Sequence, residues 1–262
     1  VDRIPQYLNE YEQQMANDRL VAEGIDPNII QPLTVTPMAL SGKDGNSLFL
    51  ASVLLPLLIV MSVMIGGQSS AVDLFAGEKE KKTMEALLMT PVSRGKLVMA
   101  KWLAISTLGF IGGVFAVVGF AVIVSTMTER LKQVLDFDGN AVNLLISALL
   151  CILLFALLVS AIQIVFSMFA KTFKEAQSYF GPVMFLAMVP YFFLMNTGVN
   201  ELTAVHFLIP VMNTFALLKE LVYGIFSIPN LLMTIGSTTA LVAVVYVIAA
   251  IMFSKDKWVI GK

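Results

Sequence analysis

The chain has 262 residues, of which 58% are hydrophobic and 13% charged, and its 17 Lys and Arg nearly balance 18 Asp and Glu for a net charge of −1. About a quarter of the residues of a soluble domain are charged, so this composition excludes one and implies an integral membrane protein. It also argues against a nucleic-acid partner, which needs a Lys and Arg excess gathered on one face.

Residues 1–46 are polar, and a helix is expected from about Pro5 to Glu23, with Gly24 as its C-cap and Pro27 beyond. A Pro- and Thr-rich stretch follows, where Pro32 and Pro37 cannot donate to a strand ladder. This part is read as the C-terminal remnant of a larger extracellular domain. The chain opens on Val1 without a basic-then-apolar leader, so the expectation is a fragment whose upstream part is missing.

Residues 47–262 are read as a transmembrane domain. Its uncharged runs cover 45–72, 102–128, 139–170, 176–200 and 221–254, the last entering the bilayer only after Pro229. Each exceeds the roughly 20 apolar residues that a span requires. Pro56, Pro182 and Pro190 fall inside runs, where kinks are expected. Gly109, Gly112, Gly113 and Ala116 make a small-residue stripe that lets helices approach closely within the chain. Cys151, alone in an apolar run, is expected to be a packed small hydrophobe. Gln163 is the most polar side chain deep in the third run, and a bond to a neighbouring helix is its expected role. With Asn196 and Asn213 it is also a candidate for a transport pathway. Residues 202–220 contain His206, Pro210 and Asn213, are too short and polar to span, and are expected to form an extracellular re-entrant or interfacial segment.

Between the first two runs, residues 73–101 hold ten of the 35 charged side chains, six of them Lys or Arg. Eleven Lys and Arg lie on the side of this loop and of the C-terminal tail, against six in the alternate segments. Such an excess marks the cytoplasmic side, so residues 1–46 are expected outside and the C-terminus inside, in the plasma membrane. An outside start then implies a sixth span upstream. A helix is expected over Glu78–Thr90, with Met84, Leu87 and Leu88 as an apolar ridge and Pro91 as its stop. A soluble partner can grip such a ridge.

No G-x-x-x-x-G-K-S/T run occurs, so no phosphate loop and no ATP hydrolysis are expected of this chain itself. One histidine, His206, argues against an H-E-x-x-H zinc site. The middle of the spans lacks Asp, Glu, Lys and Arg, which counts against proton-driven transport.

At the charged loop, Glu78, Lys79, Glu80, Thr83, Glu85, Leu87, Leu88, Thr90, Pro91, Val92, Ser93 and Arg94 stand at the spacing found where the second span of type-2 ABC exporter membrane subunits ends. The chain resembles that family over essentially its whole length, most of all the NatB-like sodium-efflux permeases. The resemblance implies an all-α ABC-2 type transmembrane domain, with five of six spans present here, and a coupling helix in the loop that docks on a separate cytosolic NatA-like ATPase. It further implies a second permease protomer around the path, with ATP and Mg bound by the partner and no cofactor in this chain. Sodium is the cargo implied by resemblance alone. Relatives that move drugs, peptides or lipid-linked polymers keep those cargoes open, and a membrane scaffold using the loop only to dock a partner is the alternative from another class. Where relatives often carry an acidic residue three positions after Ser93, this chain has Lys96, so the acidic half of a capping box is missing.

Overall fold

A backbone inside hydrocarbon must satisfy its own polar groups, and each uncharged run carries one long helix in the computed structural model, which describes residues 43–127 and 141–255. The five long helices are α1 (Lys43–Val72), α3 (Arg94–Met127), α4 (Ala141–Phe169), α5 (Phe173–Met195) and α8 (Ile228–Ser254), with the short α2 (Thr83–Leu88) between the first two. Two short helices, α6 (Ala204–Leu208) and α7 (Met212–Val222), stand between α5 and α8. Each long helix is long and apolar enough to cross a membrane. Pro56 lies inside α1, Pro182 and Pro190 lie inside α5, and Pro229 opens α8. The helix expected over residues 5–23 and the Lys residues at 257 and 262 lie outside the described residues.

α1 is the centre of the bundle, packed along α3 and α4, while α8 lies on α4. The α1–α3 approach is set by glycine. A Cβ on Gly66 would stand 2.9 Å from the Leu108 carbonyl oxygen, one on Gly112 2.7 Å from that of Ser62, and one on Gly109 3.1 Å from that of Val63. Gly113 faces Ile152 of α4, where a Cβ would come within 2.5 Å of a methyl group. The small-residue stripe thus packs helices within this chain.

Two apolar clusters fill the bundle. One, around Ile59, Val63, Ile152, Phe155 and Phe215, joins α1, α4 and α7. The other, around Phe75, Met84, Ile105, Met168 and Phe253, lies at the end carrying the charged loop. Outside them α5 leaves Phe185, Leu186, Phe192 and Phe193 exposed, as suits a helix whose solvent is lipid.

The segment from α5 to α8 does not cross the bundle. α5 ends, and α8 begins, at the end away from the charged loop, and Lys219 of α7 reaches the Leu194 carbonyl in the last turn of α5 and the Thr197 carbonyl just beyond it, 2.8 and 2.6 Å away. The chain enters through a 3-10 turn (Val199–Glu201) and α6, then reverses at Pro210–Val211, where Val211 has φ 73°. A β-branched residue rarely adopts that conformation. It is held there between two helices that are themselves packed, α7 being buried along its length.

Candidate functional site

The charged loop begins as a continuation of α1. Beyond Val72 the helix widens into a π turn (Asp73–Gly77) and then resumes as one α turn (Glu78–Glu80). Helical bonding then stops: Lys82 takes the left-handed conformation, φ 58°, and its N–H donates to the Lys79 carbonyl at 3.0 Å. α2 starts afresh at Thr83, whose hydroxyl donates to the Glu78 carbonyl at 3.3 Å. It ends where the Thr90 hydroxyl donates to the Leu87 carbonyl at 2.7 Å, immediately before Pro91. The single helix expected over Glu78–Thr90 is therefore two pieces, and the break rotates the second relative to the first.

That rotation decides what the loop presents. Met84, expected on an outer ridge, is 2% exposed and packed in the cluster with Phe75 and Phe253. Leu87 and Leu88 are half-buried against the same cluster. The apolar side chains that face outward are Met89 and Val92, 88% and 44% exposed, flanking the exposed Thr90 and Pro91. Glu85 is exposed beside them. Counting an unbroken helix from Glu78 missed Met89 and Val92; the left-handed residue that resets the count leaves no mark in the sequence, because Lys82 is neither Gly nor Asn.

The charges closest to α1 are turned inward as well. Lys101 of α3 is 8% exposed; its ammonium donates to the Leu74 carbonyl at 2.6 Å and to Glu78 Oε2, and stands 4.9 Å from the centre of the Phe75 ring. The Lys79 ammonium donates to the carbonyls of Met168 and Ala170, where α4 ends. Glu80 Oε2 accepts from the Phe173 N–H at 2.6 Å, where α5 begins. Arg94 donates to the Ser254 carbonyl at 2.8 Å, where α8 ends. Cations at helix C-termini and a carboxylate at an N-terminus match the sign of the helix dipole. Through these contacts, the stretch from Leu74 to Arg94 is tied to α3, α4, α5 and α8. By contrast, the Lys81–Asp73 pair at 3.2 Å is exposed at both partners and adds little.

The three polar residues considered for a pathway are not brought together. Gln163 is 2% exposed and donates to the Met64 carbonyl of α1 at 2.7 Å. Asn196 caps the end of α5 and is exposed. Asn213, fully buried, donates to Ser237 Oγ at 2.9 Å and Thr238 Oγ1 at 2.8 Å, joining α7 to α8. Asn213→Leu is expected to lower stability by about 1 kcal/mol, the order found for interhelical polar contacts in membranes; thermal unfolding in detergent checks this, and an unchanged Tm would show the contact to be idle.

Among known proteins, the family described as ABC-2 family transporter protein matches residues 5–258. The ABC transporter permease protein NatB of Bacillus subtilis (strain 168) is similar, 38% identical over 255 residues that make up 97% of this chain and 66% of that protein. The chain thus spans a little less than two thirds of this relative's length. No solved structure matches. A five-helix apolar bundle whose sequence fits one family from residue 5 to residue 258 leaves one assignment: this chain belongs to the ABC-2 family of transporter membrane proteins.

Proposed function

We propose that the protein is the permease of an ATP-driven exporter, and that a separate cytosolic ATPase subunit drives it by gripping the surface formed by Glu85, Met89, Thr90, Pro91 and Val92. The observation that supports this reading is the anchoring of the loop. A push on a loop bonded to α3, α4, α5 and α8 moves those helices together, because each bond runs from the loop to a helix end or to the buried Lys101. A ligand or partner can shift a conformational equilibrium only through contacts that differ between the states, and this surface supplies them without rupturing the bundle. The Lys and Arg distribution supports a cytoplasmic loop in the plasma membrane. ATP and Mg belong to the partner. A second copy of the permease completes the path, and sodium is the cargo, both carried over from the family resemblance and from the likeness to NatB.

Burying a Met or Val side chain contributes about 1.5–3 kcal/mol, and each 1.4 kcal/mol is about tenfold in affinity. The double variant Met89→Asp, Val92→Asp is therefore expected to insert normally and to lose its ATPase at least tenfold in co-purification, with export lost alongside. Wild-type ATPase retention and transport in that variant would remove the proposed surface. Retention of the ATPase in the unaltered complex without permease-dependent turnover would instead favour a scaffold.

A further inference from the structure

Glu220 is the one buried carboxylate in the described part of the bundle with an unsatisfied oxygen. It lies near the end of α7, is 6% exposed, and is outside the five spanning helices. Its Oε1 accepts from Asn230 Nδ2 of α8 at 2.8 Å, while Oε2 has no hydrogen-bonding partner among the protein atoms. The neighbouring cation does not serve it. Lys219 is turned the other way, its ammonium held by the Leu194 carbonyl in the last turn of α5 and by the Thr197 carbonyl just beyond it.

Among the described side chains, no other element brings a charge to it. α4, α8 and residues 48–72 of α1 contain no Asp, Glu, Lys, Arg or His, and the charges of α5, Lys174 and Glu175, are at its opposite end. Glu201, in the 3-10 turn, acts on Lys219. The remaining titratable groups on the surrounding elements are Tyr179 and Tyr191 on α5, Tyr223 just past α7, Cys151 on α4, Tyr246 on α8 and His206 on α6, whose Nδ1 accepts from the Thr203 N–H of its own turn at 3.0 Å.

An ionised carboxylate in such surroundings carries an uncompensated buried charge, and a group so placed takes up a proton instead. One negative charge needs one positive charge, and no group of three His, Cys, Asp or Glu stands among the described residues to hold a multivalent ion. We propose that Glu220 is a proton-binding site, neutral while α7 is packed on α8 and releasing its proton when that contact opens. The O–H bond at Oε2 then breaks, the proton passes to solvent water or buffer, and the carboxylate left behind is hydrated. Solvent begins a few residues beyond it: the buried stretch gives way at Tyr223 and Gly224 to the exposed Ile225.

The electrostatics agree with this placement. Burial pushes the Glu220 carboxyl above its ordinary value, and the Asn230 bond pulls in the other direction. With the folded value raised, the stabilisation from the neutral acid is complete below the ordinary 4.5 and is lost as pH rises toward the raised value. Burial pushes Lys219 down, against the pull of Glu201, so its contribution has the opposite sign and strengthens with rising pH.

The test is infrared spectroscopy of the permease in lipid nanodiscs, titrated from acid to alkaline pH in sodium chloride and in a salt of a bulky organic cation. One protonated-carboxyl band is expected to persist at neutral pH, to vanish on alkalinisation at the same midpoint in both salts, and to be missing from Glu220→Gln. A spectrum without that band at neutral pH, or a band that survives in Glu220→Gln, overturns the proposal. A midpoint displaced by sodium also overturns it and assigns the carboxylate to a metal cation. Should Glu220→Gln fail to fold, Asn230→Leu serves, because removal of the bond that favours the charged form moves the midpoint to higher pH; an unmoved midpoint counts against Glu220. The measurement needs no ATPase, so its failure is separate from failure of the coupling surface.

Discussion

Replacing Lys101 by Met is expected to destabilise the protein by about 3 kcal/mol, the cost of breaking a buried ion pair from one side. The Lys101 side chain is 9% exposed and that of Glu78 23%, so the carboxylate left behind is only partly reached by water. Three contacts disappear at once: the pair itself, the bond to the Leu74 carbonyl and the approach to the Phe75 ring. The substitution keeps the apolar stem, so packing changes little. Glu78→Gln in the same chain removes the orphaned charge and is expected to restore a good part of the loss, as a double-mutant cycle by thermal unfolding would show. A single Lys101→Met variant within about 0.5 kcal/mol of the parent, the scatter of an ordinary surface change, would mean that the loop is not held at α3 by this pair.

Gly112→Val is expected to be worse, costing about 3 kcal/mol or more and emptying the membrane fraction of folded protein. A Cβ at this position would meet the Ser62 carbonyl oxygen at 2.7 Å and the Gly66 Cα at 3.6 Å. Both neighbours are backbone, so no rotamer change relieves the contact. α1 and α3 must separate, and Val63 and Ile105 lose their packing with them. Gly119 and Gly236 also lie on long helices, but a Cβ added to either would meet nothing within 4 Å. Gly119→Val and Gly236→Val are therefore expected to be nearly silent, and a Gly112→Val protein that purifies and melts like these controls would contradict the close α1–α3 approach.

The anchoring contacts also change how the charges of the loop are to be understood. From sequence, Glu78, Lys79 and Glu80 belong to the loop motif whose resemblance implies a docking helix. In the structure, Lys79 ends α4, Glu80 begins α5 and Glu78 holds Lys101. Their spacing serves the loop's attachment to its own bundle, and the segment from Glu85 to Val92 takes no part in those three contacts. Charged residues in a loop beside spans are thus consistent with two roles at once: orientation of the chain in the membrane, through their number, and tethering of helix ends, through their positions.

Local composition was sufficient for much of this protein. The bilayer acts on each stretch of about 20 residues according to its own hydropathy, so the five spans, the pause between α5 and α8 and the polarity of residues 73–101 could be read residue by residue. The Thr90–Pro91 stop could be read the same way, since Pro cannot continue a helix. What tertiary structure alone decided is which face of each polar or small element meets protein. Lys79 finds its carbonyls 89 and 91 positions along the chain, and Arg94 finds Ser254 160 positions away. The left-handed Lys82 turns Met84 into the core and leaves Met89 outside. Glu220, unremarkable at the end of a half-polar segment, becomes a buried carboxylate because α7 is enclosed by other helices. Hydropathy is a property of a stretch of chain, whereas the partner of a charge is a property of the packing, and for this reason the spans were legible and the contacts between them were not.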